Sequence, residues 1–196
     1  MAAERRPGGQ PAVTPGGSAA GRLALAVLLA AAVTGALLIA GRVHRPDYSA
    51  SIFGQTAIGA LALKSWLASI TLGLAAGQLV LALWLYRKLP GRPVPRRWVA
   101  PAHRLNGVAL IAITIPVAVH CLIAYGVQLT SLRVAVHSLA GCFLYGAFAA
   151  KILLVRSRRL PGWVLPVAGG TLVVVVAVLW YTAALWYFHG FRLPGG

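Results

Sequence analysis

The sequence predicts an all-α integral membrane helical bundle of five transmembrane helices, a four-helix core plus an N-terminal span. Three observations carry that prediction. The chain is 59% hydrophobic and 10% charged, against about 25% charged in ordinary soluble domains. Its apolar residues fall in long blocks that one soluble core of 196 residues could not bury. Its 18 Lys and Arg, set against Glu4 and Asp47 alone, flank those blocks. Lipid phosphates suit that excess. Nucleic acid does not, because the cations form no RNA-binding signature.

Residues 1–21 are rich in Pro, Gly and small residues without an apolar period, and read as a disordered tail. Residues 22–196 form one five-helix domain. Its first span, 23–40, is eighteen apolar or small residues between Arg22 and Arg42. A signal peptide also sets basic residues before an apolar core. This core, however, exceeds the usual about 7–15 residues and lacks a convincing cleavage site, so a retained helix is expected.

A polar loop at 42–55 holds Asp47, and the second span follows at 58–86. There Ser65, Ser69, Gly73 and Gly77 recur every fourth position, a one-sided stripe that lets a neighbouring backbone approach. Lys64 lies near the outer end of this span, where its stem can snorkel. Residues 87–104 carry six cations and four prolines and read as a basic loop. The remaining spans are 105–126, 134–154 and 163–188. Trp84, Tyr86, Trp163, Trp186 and Tyr187 fall near span ends, at headgroup level.

Charge orients the bundle. Five spans put thirteen cations on the N-terminal side and five on the other (Arg42, Arg45, Lys64, Arg133 and Arg192). The positive-inside rule then places the N-terminus in the cytoplasm and the C-terminus outside, in a cell membrane.

Two of the five histidines are embedded. His120 stands six residues before the end of the third span, roughly 9 Å deep, and His137 three residues into the fourth, roughly 5 Å deep. An ionisable group at such depth is a functional candidate by default. Paired imidazoles at matching depth suit a b-type haem in the outer leaflet, with His120 and His137 as iron ligands. Gly141, four residues after His137, leaves room for a porphyrin edge. Pro116 removes a backbone donor, and a bend there would splay the two helices. Lys64 and Arg133, on the same side, have no nearby carboxylate and could hold propionates. Tightly packed helices at about 8–10 Å leave no room for a ring, so the haem reading needs the third and fourth spans apart. His120 with His189 is the fallback pair.

Other chemistry is thinner. Cys121 and Cys142 beside the two histidines suggest a metal, but residues one and five apart diverge by about 100° and 140°. They cannot easily converge on one tetrahedral ion. A disulfide or plain packing remains for the cysteines. No nucleophile–base pair, phosphate loop or nucleotide fingerprint is present, and two acidic residues leave no carboxylate pair.

HRLNG at 103–107, PVAVH at 116–120, RVAVHSLAG at 133–141 and LPGW at 160–163 resemble the haem-bearing helices of b-type membrane cytochromes, of the ferric-reductase-like and ascorbate-reducible kinds. From Lys64 onward the arrangement resembles more closely an uncharacterised bacterial multi-pass family with no assigned activity. The resemblance spans about two-thirds of the chain. It implies His120 and His137 as haem ligands and electron transfer as the activity. Those cytochromes carry two histidine pairs, whereas here the cytoplasmic half has only His103, so one haem is the most that fits. A quinone or an external redox partner would supply or take the electron, with no catalysis by the chain itself. The alternative is a cofactor-free scaffold or accessory subunit that packs against a partner membrane protein. A transporter ranks last, for want of an inverted repeat or an embedded carboxylate.

Overall fold

The computed structural model describes residues 18–91, 94–157 and 160–193. Helices occupy most of them: α1 (Ala19–Val43), α2 (Ala57–Leu85), α3 (Val99–Tyr125), α4 (Leu132–Arg156) and α5 (Val164–Trp180). The last runs on through a π-helical turn (Tyr181–Leu185) into one more α turn, α6 (Trp186–Phe188). The described residues contain no strand; Ile52 and Gln55 merely bridge across a tight turn. Five spans, with Val164–Phe188 as the last, are long and apolar enough to cross a membrane. The shortest has 25 residues, about 37 Å at 1.5 Å per residue, more than a hydrocarbon core of about 30 Å.

Local chemistry sets the helix ends. The Ser18 hydroxyl accepts from Gly21 N at 3.1 Å to cap α1, and Ser131 caps α4 through Val134 N. Residues 19–21, expected in the tail, are therefore the first turn of α1, while residues 1–17 lie outside the described residues. The expected loop at 87–104 is shorter than predicted, because α3 starts at Val99 rather than 105. Pro101 is no obstacle in a first turn, where the missing N–H has no helical partner to lose. Helix α3 also continues through Pro116.

The helices pack in the order α3–α2–α5–α4–α1. Ala75, Leu144, Val175 and Val176 form the central core between α2, α4 and α5. Ala26, Leu154 and Val164 form a second, joining α1, α4 and α5. The first span is thus seated against α4, not loosely appended. Consecutive helices α3 and α4 touch at most slightly.

One end of the bundle carries the 86–98 and 157–163 connections and is the basic end. At the far end the ring closes through backbone. Val127 N donates to Gly41 O at 2.8 Å and Asp47 N to Ile123 O at 3.0 Å, fastening α1 to the end of α3. Gly126 sits there at φ 63°, ψ −160°, a region open to glycine alone.

Candidate functional site

The gap between α3 and α4 is a cavity of about 720 Å3 in the far-end half, within the usual span of about 300–1,000 Å3 for small-molecule sites. Its wall is mainly apolar, with residues such as Leu61, Ile115, Leu122, Val134 and Leu179. The third and fourth spans thus face each other across a void.

Of the five residues singled out by sequence, His137, Gly141, Lys64 and Arg133 line this cavity. A Cβ on Gly141 would find only Leu179, at 3.8 Å, so the missing side chain enlarges the void. His120 does not line it. Its Nδ1 lies 3.4 Å from Lys64 Nζ and its Nε2 3.2 Å from Ala50 O. An ammonium only donates, so Nδ1 accepts from Lys64 and Nε2–H donates to the carbonyl. Both ring nitrogens are engaged, and His120 is only 5% exposed. The arrangement expected from depth, two imidazoles facing one void, is thus not formed. Cys121 and Tyr125 present the cavity face of α3, and His120 lies about 100° around from Cys121.

His137 is disposed differently. Its Nδ1 stands 3.0 Å from Thr182 Oγ1, and that hydroxyl donates to Val178 O at 2.8 Å. With its one proton directed there, the threonine can only accept. Nδ1 therefore carries the imidazole proton, and the Nε2 lone pair is left to the cavity. A hydrogen bond to the ring nitrogen facing away from a metal fixes the tautomer of a metal-binding histidine. The π-helical turn holds Thr182; such turns recur at functional sites.

The two cations rest on aromatic rings. Lys64 Nζ lies 4.4 Å from the Tyr125 ring centroid. Arg133 stacks its guanidinium 3.7 Å from the Trp186 centroid and donates to Thr182 O at 2.8 Å. Asp47 has the one carboxylate side chain among the described residues and belongs to the far-end loop. There the Ser49 hydroxyl and amide hold it below the ordinary carboxylate value. Neither cavity cation therefore has a carboxylate beside it.

Tyr125, Trp186 and Thr182 were not singled out for this site. Trp186 was legible only as an interface aromatic, and nothing in the sequence marks Thr182. His44 bonds Ile123 O at 3.0 Å, His189 is exposed beyond α6, and His103 lies toward the basic end of α3. The fallback pair does not meet in the cavity. Both cysteines are free. Among the described residues no group of three or more His, Cys, Asp or Glu gathers to hold a bare metal ion.

The model of DUF6529, a family of unknown function, matches residues 23–195. The chain belongs to that family. The match spans all five helices of this DUF6529 protein and agrees with its resemblance to a multi-pass family of no assigned activity. The cytochrome resemblance is not part of what the match shows. No curated protein and no solved structure is similar to this DUF6529 chain.

Proposed function

We propose that this DUF6529 protein is a multi-pass protein of the cell membrane, basic end in the cytoplasm, that holds one b-type haem for electron transfer. His137 would hold its iron. One observation carries the reading: an imidazole whose Nδ1 is committed to Thr182 offers Nε2 to a large apolar cavity. The residues fit the group in its other respects. The walls are apolar, Gly141 leaves room at the ligand's own face, and Lys64 and Arg133 are the two cations that propionates need. A haem bound there supplies one-electron exchange. The chain's own part is to orient the imidazole through Thr182, to neutralise two carboxylates and to exclude water. The electron comes from or goes to a quinone or a redox partner at the far face.

His120, held between Lys64 and Ala50, is a second-rank residue in this reading. Absorbance spectra of the detergent-purified protein, expressed with ample haem, test it. The expected result is a reducible Soret band that is lost in His137→Ala and kept in His120→Ala. Loss in both variants would mean that His120 leaves Ala50 for the iron and would overturn the single-imidazole ligation. A colourless wild-type preparation removes the haem itself and returns the protein to the accessory-subunit reading.

A further inference from the structure

Lys151 is a further cation on the helices of the bundle, half-buried, and the far-end cavity does not use it. It belongs to α4, five residues before that helix ends at Arg156. Side chains on a helix lean toward the helix N-terminus, so its stem heads toward mid-bundle and away from the basic end. Phe148 and Leu144, three and seven residues earlier and so on the same face, line with it a second cavity of about 40 Å3. Gln78 of α2 shares that cavity, and Gly107 and Gly169 complete its wall. A Cβ on Gly169 would stand 3.9 Å from Lys151 Nζ, and one on Gly107 2.6 Å from Gln78 Nε2. Gly107 lets the Gln78 amide lie against its backbone, and Gly169 leaves room beside Lys151 Nζ.

Among the described residues the Lys151 ammonium has no hydrogen-bond acceptor, and no carboxylate lies in the bundle interior. Gln78 Oε1 is buried and has no partner, so a water between the two groups is one natural occupant. Water solvates the ammonium but does not neutralise it, and a cation partly withdrawn from solvent gains from a counter-charge. One water needs about 10–15 Å3 of such space. The cavity therefore admits a monatomic anion with a water or two, and is too small for a lipid headgroup or a carboxylate-bearing cofactor.

We propose that this inner cavity binds one halide-sized inorganic anion, held by Lys151 Nζ and the Gln78 side-chain amide. The site is separate from the haem reading and stands without it. Bromide is the probe, applied to the full-length purified protein with gluconate at equal ionic strength as the blank. Crystals grown in bromide should show an anomalous peak within hydrogen-bonding distance of Lys151 Nζ. Bromide should raise the thermal midpoint where gluconate does not. Half-saturation should move up about tenfold in Lys151→Met, the loss of one charge-assisted bond, and stay unchanged in Lys88→Met, a substitution of an exposed cation beyond α2. Should Lys151→Met fail to fold, Gln78→Leu and the wild-type anomalous map decide. Only water at Lys151, or equal responses to bromide and gluconate, overturns the proposal.

Discussion

His120 and His137 show how the same residue type at similar depth acquires opposite standing. Depth is legible from distance to a helix end; azimuth is not, because it depends on which neighbours a helix finds. His120 faces the 44–56 connection, where Ala50 O and Lys64 use both its nitrogens. His137 faces the void, with Thr182 setting its tautomer. Thr182→Val removes the acceptor from Nδ1 and lets the proton move to Nε2. In the haem reading, loss of such a partner costs about 10–100-fold in affinity. Haem titration of the stripped protein checks this, and Thr182→Ser should restore the wild-type value. A Thr182→Val affinity equal to wild type, in a protein that does bind haem, would show the hydroxyl to be mere packing. Thr182 itself was invisible in the sequence, since a threonine near a helix end has many ordinary uses.

At the scale of elements, hydropathy located all five spans, and small residues decided how closely they approach. The stripe on α2, expected to admit a neighbouring backbone, does so nowhere along its length: the Trp180 indole N–H donates to Ser69 Oγ at 3.0 Å, Gly77 meets only the Asn106 side chain, Gly73 has nothing within 4 Å and Ser65 lines the cavity. The tighter contact escaped notice. Gly146 on α4 abuts the Ala30 carbonyl and Thr34 hydroxyl of α1, and a lone glycine in an apolar run carries no signature of its partner. Gly146→Ala forces a methyl group into backbone and should cost about 1–3 kcal/mol, read as a lowered unfolding midpoint in detergent. Gly73→Ala, with nothing within 4 Å, is the neutral comparison. The start of α3 was misplaced for a different reason: Pro101 was counted as a breaker, although a proline in a first turn breaks nothing.

The 44–56 connection carries a carboxylate that ties its local stability to pH. The Ser49 hydroxyl and amide lower the Asp47 pKa from its ordinary 3.8. A depressed carboxylate stabilises the fold above the unfolded value and ceases to do so as pH falls through the folded one. Exchange protection of the Ser49 amide should therefore hold at neutral pH and decline below about 4. Asp47→Asn should abolish that dependence; protection that declines equally in both proteins would assign it to another group.

For the whole molecule, the ring order α3–α2–α5–α4–α1 makes the cavity a product of topology. No single pair of helices encloses it, and so the sequence could propose its ligands but not their grouping. The orientation proposed from charge is testable on intact cells. A Ser51→Cys variant should react with a membrane-impermeant maleimide added outside, and a Lys88→Cys variant only after lysis. The reverse pattern inverts the topology. Labelling is best read in a background where Cys121 and Cys142 are replaced, since both thiols are free.

The seating of α1 on α4 bears on how the protein is made. Thr34 and Gly146, which meet in the finished bundle, are 112 residues apart. During synthesis the first span enters the bilayer well before its partner exists, and neither α2 nor α3 offers it a comparable surface. Assembly of this side must wait for the fourth span to leave the translocon. A nascent chain halted before that moment carries an unmated leading helix in lipid.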